Sequence, residues 1–564
     1  MNITEIQAAY RDYVARLASF REKVKEDRKW YEQSQTELQG NVEKSKDMPN
    51  SHSGHIFNAV QYKHADMMDN FPCANILPRE EADEEGAKLL TEIVPFILEA
   101  CDFKKTYSLK LYDKIISGIA PFGVFFDAGK GEILVKGLDI LNFAWQPDAL
   151  SLQDSRYVFY DTFMSVDDFK TVYGEDISGC AMQSSYHEQK ENVGTEVADT
   201  VVITDGYYKK QVEEGKSVLH FVKFSGNRVL FSSEDGDRFP DGFYRHGKFP
   251  FVFDILNPVP GKIVGMGVVD VAKNLQANID RLDYAITKNA LICSSNRHFV
   301  SKNSGINKDS FLNCKDELIE VQGDIDGKVK RVDFDALPSF VVGHRNDKIE
   351  ELKEICGNRD FAQGGTTSGV TSGSAITALQ TASDKLVRDG VSFSYICFSE
   401  IVSLIIENIR EFYTEEKVFR VTGNSGKREF RRVKNSDIFR SDEKSVFDVS
   451  VTVEKSNPYS RAMHNSLILE LKGAGLLDPA NFIVNKFVLE QLDFDGKDKL
   501  ITDLENLYNE INKPKPASVN DSGSGVSDPL VEIPGAEVPA GDELVEIPAG
   551  DAAEDMLVEI PVGR

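Results

Sequence analysis

Ile3, Ile6, Tyr10, Tyr13, Leu17, Phe20 and Val24 recur at alternating steps of three and four. That spacing predicts a helix over residues 3–24 with one apolar seam, close to a heptad repeat. The seam suits an amphipathic helix lying on its own domain or a helix that contacts another subunit. Residues 54–71 and 83–117 carry helical patterns too, with Asp83 placed to cap and Gly118 to stop the second. From Phe122 to Phe253 the apolar runs shorten and alternate, which predicts strands at 123–126, 132–136, 157–162, 201–209 and 217–224. Turn residues at 127–131 and 235–241 separate them, and the polar stretch 174–198 reads as a mobile loop.

The segment Asn257-Pro-Val-Pro-Gly261 is a hard break. Beyond it a helix is expected over 267–292, with Val268, Val271, Leu275, Ile279, Leu282 and Ile286 inward and Asp270, Asn274, Asn278, Arg281 and Asp283 outward. Residues 297–335 return to strand-and-turn texture. A second helix follows at 341–357, with Ile349, Leu352 and Ile355/Cys356 inward and Arg345, Asp347, Lys348, Glu350, Glu351 and Glu354 outward. Residues 360–373 are rich in glycine and hydroxyls, hence flexible. No proline interrupts 374–413, which predicts a very long helix with a kink expected at Gly390. Strands follow at 418–422, 430–433 and 447–454, then helical segments at about 460–473 and 480–510.

Composition narrows the possibilities. The chain has 564 residues, enough for about three or four domains. Its net charge is −26, a surface that repels phosphate and anionic lipid at long range. Seven scattered cysteines, none in CxxC spacing, argue against a disulfide framework and for a reducing compartment. The first residues, MNITEIQAAYRDY, lack a leader pattern, and apolar runs such as Val402–Ile406 are short, so a soluble intracellular product without a membrane span is expected. Beyond Pro516, eleven acidic residues face a single base, Arg564, a composition that predicts disorder. There Leu-Val-Glu-Ile-Pro occurs three times, at 530–534, 544–548 and 557–561. The repeat fits a low-complexity spacer or a multivalent extended ligand for a sheet edge.

Motifs for bond chemistry are missing from the sequence. Gly423-Asn-Ser-Gly-Lys427 lacks the spacing of a phosphate cradle and reads as a hairpin turn, and Gly265-Met-Gly267 lacks the third glycine of a dinucleotide fold. No HExxH, GxSxG or paired CxxC occurs. His52, His55 and His64, without nearby cysteines, read as solvated loop and helix residues rather than metal ligands. Asp280, Arg281 and Asp283 read as an ion-pair surface between helices. The expectation is a protein that is not an enzyme, with no catalytic, cofactor or metal residues.

The order of these elements resembles the portal family of tailed bacteriophages, the head–tail connectors, of podovirus-like type. Gly267-Val-Val-Asp-Val-Ala-Lys-Asn-Leu-Gln-Ala-Asn-Ile-Asp-Arg-Leu282 is similar to the portal helix that enters the stem. Thr371-Ser-Gly-Ser-Ala-Ile-Thr-Ala-Leu-Gln380, followed by Ser383-Asp-Lys385, is similar to the passage from tunnel loop to long helix. The region 30–72, ending Asp69-Asn-Phe-Pro72, resembles the N-terminal part of such portals, and Asn142-Phe-Ala-Trp-Gln-Pro-Asp148 is loosely similar to the F-x-x-D-P wing segment. The resemblance spans about residues 25–510.

What it implies is an α+β portal fold with a mixed α/β wing, helical stem, small β-rich clip, long kinked helix, helical crown and disordered acidic tail. In this numbering that gives N-terminal helices and wing at 1–265, stem helices at 266–292 and 341–359 and the clip at 293–340. The tunnel loop takes 360–373, the long helix and wing strands 374–456, the crown 457–512 and the tail 513–564. It further implies a homo-oligomer, a dodecamer, at one capsid vertex of the virion, assembled in the host cytoplasm. Double-stranded DNA would pass along its axis without sequence preference. Partners would be the major capsid and scaffolding proteins, the terminase large subunit docking near 293–340, and later the tail adaptor. Candidate DNA-facing residues are Arg359, Gln363, Gly364, Gly365, Thr366, Thr367 and Ser368 in the loop, and Arg345, Lys348 and Lys353 on the channel wall, where an inter-subunit ion pair is the competing reading. Two rivals stand beside this: another head–tail structural or adaptor protein, and an enzyme with a dispersed acidic site, which metal-dependent nuclease activity would reveal.

Overall fold

The computed structural model describes residues 3–34, 52–174, 176–184, 199–213, 216–235, 239, 242–294, 298–300, 329–331, 336–357, 385–422, 428–439 and 445–453, with 468, 470, 486, 488, 489, 500 and 501. The chain divides into two units, 1–504 and 505–564, and every described residue lies in the first. The described residues form a mixed α+β fold of ten helices and several small antiparallel sheets.

The apolar seam at the start of the chain is spent inside its own subunit. It runs through α1 (Ile3–Arg16) and α2 (Ala18–Tyr31), two helices where one was expected. Hydrogen bonding carries across the joint, from Leu17 N to the Tyr13 carbonyl. Ile6, Tyr13, Leu17 and Val24 are buried in one cluster with Trp145, Phe159 and Phe224. Trp145 lies in β4 (Phe143–Trp145), the edge of a six-stranded sheet ordered β4, β5 (Tyr157–Ser165), β7 (Asp199–Glu213), β8 (Lys216–Ser225) and β9 (Arg228–Ser232). The sixth strand, β6 (Ala181–Ser184), pairs with β7. It falls within the stretch expected to be a loop. Its Ala181–Val202 register completes the sheet because the β8 pairing reaches only to Thr204, leaving the start of β7 open on that side. Residues 185–198 of that stretch lie outside the described residues.

A second core gathers around helices. α3 is His55–Met68, β1 Pro72–Pro78, α4 Glu84–Ala100 and α5 Phe103–Ser117. The expected 83–117 helix is two, because Asp102 adopts a left-handed φ of 50° between them. Gly118 ends α5 with φ 83°, as its sequence position predicted. Asp83 stands at the N-cap position of α4, yet its side chain makes no cap bond and instead accepts from the Ser445 hydroxyl. β2 (Ile119–Asp127) lies between β3 (Glu132–Gly137) and β10 (Phe251–Ile255).

The long helix α9 (Lys385–Phe412) is the axis of this core, with Phe398, Ile401, Val402, Ile405 and Ile409 buried. By length and composition Arg388–Phe412 is apolar enough to cross a membrane, which corrects the expectation that every apolar run is too short; more than half of it is buried against the fold. Helical structure continues through Gly390. A Cβ there would lie 2.9 Å from Leu256 Cδ1, so close packing accounts for the glycine. Residues 374–384, and most of 457–512, lie outside the described residues. The hairpin of β13 (Lys417–Thr422) and β14 (Arg428–Val433) pairs antiparallel around 423–427, as expected. A short helix, α10 (Asn435–Ile438), precedes β15 (Phe447–Val453), which returns to β1.

Candidate functional site

The elements between 268 and 356 form a helical hairpin. α7 (Val268–Ser294) leads to β11 (His298–Val300), which pairs antiparallel with β12 (Val329–Arg331), and α8 (Ser339–Cys356) returns. Two contacts fix the helix directions. Asp283 binds Arg345, and the Leu337 amide donates to Asn289 Oδ1 at 3.2 Å. Advancing along α7 therefore means moving back along α8, so the helices are antiparallel. Gly357, with φ 77°, terminates α8.

The buried face of α7 differs from the one its pattern predicted. Val269, Ala272, Gln276, Ile279 and Asp280 are buried with Val268, whereas Val271 is 40% exposed. On α8, Leu352 and Cys356 are buried as expected but Ile355 is exposed. The reason is a polar network that periodicity does not register. Asp280 Oδ1 accepts from the amide and hydroxyl of Ser53 at 3.2 Å and from Gln276 Nε2 at 2.8 Å. Gln276 Nε2 also donates to the Ser53 carbonyl at 2.6 Å. These bonds occupy Asp280 Oδ1 and Gln276 Nε2 and offset part of the cost of burying a carboxylate and an amide, while Asp280 Oδ2 and Gln276 Oε1 are buried without a hydrogen bond. The i,i+4 spacing of Gln276 and Asp280 was the available signal. The histidines expected to be solvated are largely enclosed. His52 Nδ1 sits 3.6 Å from Asp280 Oδ2, and His64 stacks on Tyr112 with ring centroids 4.0 Å apart. Burial, then the nearby Arg345 charge, lowers the His55 pKa. No group of three His, Cys, Asp or Glu among the described residues is arranged to hold a metal.

The three bases singled out on the second helix are all engaged within the chain. Arg345 Nε and Nη2 grip both oxygens of Asp283, at 2.7 and 3.3 Å. Lys348 pairs with Glu351 at 2.7 Å and Lys353 with Glu350 at 3.0 Å. The Asp283–Arg345 bridge is the inter-helix ion pair the sequence suggested. Asp280 belongs instead to the buried network, and Arg281 is exposed. The loop candidates Arg359, Gln363, Gly364, Gly365, Thr366, Thr367 and Ser368 lie outside the described residues.

A further cluster joins the base of the hairpin to α2. Asp27 is fully buried and faces Asp270, Lys273, Lys23 and Glu26; Lys273 is 3.5 Å away, and Lys23 pairs with Asp270 at 2.7 Å. Burial, then the Asp270 charge, pushes the Asp27 carboxyl up to about 7 against the two lysines.

Charge on the hairpin is balanced. α7 carries three acids and three bases, and α8 four acids and three bases, in a chain of net charge −26. The described residues thus form a mixed α+β body bearing an antiparallel helix pair, with the strand pair β11–β12 between the two helices in sequence. A family model described as phage P22-like portal protein matches residues 8–244 and 279–521, most of the chain, and the protein belongs to that family. No curated protein matches the chain. Portal proteins are structural components of the phage head–tail connector, assembled as a ring at a capsid vertex.

Proposed function

We propose that this chain is one subunit of a dodecameric ring through which double-stranded DNA is packaged and ejected. In this reading residues 1–265 form the N-terminal helices and the wing, and the stem is the helix pair of residues 266–292 and 341–359, which α7 and α8 would supply. Residues 293–340 form the clip that receives the terminase large subunit and then the tail adaptor, and 360–373 form the tunnel loop. The long helix and wing strands occupy 374–456, the crown 457–512 and the acidic tail 513–564. Capsid and scaffolding proteins surround the ring, which is built in the host cytoplasm.

The observation that carries the reading is the charge economy of the hairpin. Arg345, Lys348 and Lys353 are each held by a carboxylate of the same chain. A passing phosphate must compete with that carboxylate, so its contact is weak and brief. Tight phosphate contacts release counterions and are steeply salt-dependent, with a logarithmic slope of about −0.9 per contact. A wall that lets DNA slide needs few of them. Gln363, Thr366, Thr367 and Ser368 would add neutral hydrogen bonds, beside Gly364, Gly365 and Arg359.

Two experiments test this. Negative-stain images of the purified chain should show rings with a central hole and about twelve-fold symmetry. Deleting residues 362–370 should leave those rings intact while lowering packaged or retained DNA. Normal DNA yield from the deletion would remove the loop from the mechanism. A chain that stays monomeric even with capsid partners would remove the ring.

A further inference from the structure

The hairpin carries two exposed stripes that the described residues of its own subunit leave largely unpartnered. On α7, Asn274, Asn278, Arg281 and Ala285 are exposed and spaced by four, three and four. On α8, Gly343, Asp347, Glu350 and Glu354 are exposed with the same spacing. Such spacing lines up one side of a helix. Arg281 lies about 160° around α7 from Asp283, and Asp347 about 160° around α8 from Arg345, at 3.6 residues per turn. Because Asp283 and Arg345 face each other, the two stripes point to opposite sides of the hairpin.

The stripes also match level by level. Asp283 is level with Arg345. Two residues back along α7 and two forward along α8 bring Arg281 level with Asp347. Continuing by the same steps sets Asn278 level with Glu350 and Asn274 with Glu354. Stepping the other way sets Ala285 level with Gly343. One side offers a guanidinium and two amides; the other offers three carboxylates at matching heights, beside a pair of small residues. Among the described residues the side chains of Arg281, Asp347 and Glu354 make no ion pair or hydrogen bond, and Glu350 uses one oxygen on Lys353.

Gly343 supplies an independent observation. It sits inside α8, where glycine is unfavourable, and a Cβ added there would meet nothing within 4 Å. The subunit itself does not require a missing side chain at that position. A second backbone arriving from outside does.

We infer that the Arg281 stripe of one subunit packs against the Asp347 stripe of the next copy, with Ala285 against Gly343 as the point of closest approach. The inference rests on the ring reading and assigns one of its contact faces. The two stripes differ, so the contact is heterologous and closes by rotation. The level match requires no slide along the helix axes, as in a closed ring.

Charge reversal on the full-length protein tests it. R281E and D347R alter exposed groups without partners, so circular dichroism should show each protomer folded. Each single variant should raise the concentration for half-maximal ring assembly, read by native mass spectrometry, about tenfold, and the R281E/D347R double variant should return it to within about threefold of wild type. Single variants that assemble like wild type would overturn the assignment. A second measurement fixes the geometry. On oxidation, A285C/G343C should give a ladder of covalent multimers above the wild-type background, and neither single substitution should. Dimers from A285C alone would mean a two-fold face and sink the proposal. Rings absent from the wild type would instead remove the ring reading, whereas rings indifferent to these substitutions remove only this interface.

Discussion

The body and the hairpin each contain a basic residue bound to an aspartate, and the surroundings make the two bridges different objects. In the body, Lys114 and Asp254 are essentially free of solvent, 0% and 2% exposed. Lys114 Nζ donates to Asp254 Oδ1 at 2.6 Å, to the Gly390 carbonyl at 2.9 Å and to the Ser394 hydroxyl at 2.6 Å, so all three of its protons are used. Ser394 in turn donates to Asp254 Oδ2 at 2.8 Å. One cation thereby ties α5, β10 and α9 together. In the hairpin, Arg345 and Asp283 are 30% and 18% exposed, and nearby charges stay in contact with water. Water shares the work there, so the bridge orients two helices without locking them. The body's bridge is closed on every side by its own chain, whereas the hairpin also carries exposed charges, Arg281 and Asp347, that find no polar partner among the described residues.

The strongest way to break this contrast is to remove the body's cation. Lys114→Met strands the Asp254 carboxylate in the core, and urea denaturation should show a loss of about 3–5 kcal/mol. Adding Asp254→Leu should recover much of that loss, because no charge then remains unpaired. A loss below that of an ordinary surface substitution would mean the network is not structural.

Glycines sharpen the comparison. At Gly118, φ is 83° and an added Cβ would come within 2.6 Å of the Met266 backbone. Gly118→Ala should cost about 2–4 kcal/mol by chemical denaturation. Gly343→Ala, in open space, should instead stabilise the isolated protomer by about 1 kcal/mol. Equal effects of the two would erase the distinction between a glycine the fold needs and one it does not.

Asp27 lies where the regions meet, and it predicts a pH dependence. Its carboxyl keeps a proton in the folded state up to about pH 7, while the unfolded chain releases it near the ordinary aspartate value. The native state thus binds more protons across that interval, and wild-type stability should fall as pH rises from about 4 to 7. Asparagine does not titrate. Asp27→Asn should therefore gain on wild type by about 4 kcal/mol between pH 4 and pH 8, seen as a growing difference in thermal midpoint. A constant difference across that range would show that Asp27 is ionised in the fold. The smallest effect belongs to the hairpin bridge. Arg345→Ala should cost at most about 1 kcal/mol in protomer stability, and a loss like that of Lys114→Met would abolish the contrast.

Legibility followed the range of the interaction. The strands at 132–136, 157–162 and 418–422 and the stop at Gly118 were readable because alternation and glycine conformation are local properties. The inward face of α7 was not. The face it buries includes Gln276 and Asp280, and that choice depended on Ser53, more than two hundred residues earlier, bonding Gln276 Nε2 and Asp280 Oδ1. Exposed Val271 and Ile355 follow from that choice. The strand at 181–184 escaped notice because an open neighbouring edge, not its own composition, pairs it.

By itself the sequence determined the α+β class, the order of helix, insertion, returning helix and long helix, and the resemblance to portal proteins. Each is a matter of periodicity and succession, which short-range sterics and apolar spacing impose. Only the tertiary structure decided which charges are spent and which are spare. Lys114 meets Asp254 across 140 residues, Arg345 meets Asp283 across 62, and the side chains of Arg281 and Asp347 meet no polar partner among the described residues. A charge is defined by its neighbours in space, and the folding of the chain chooses them.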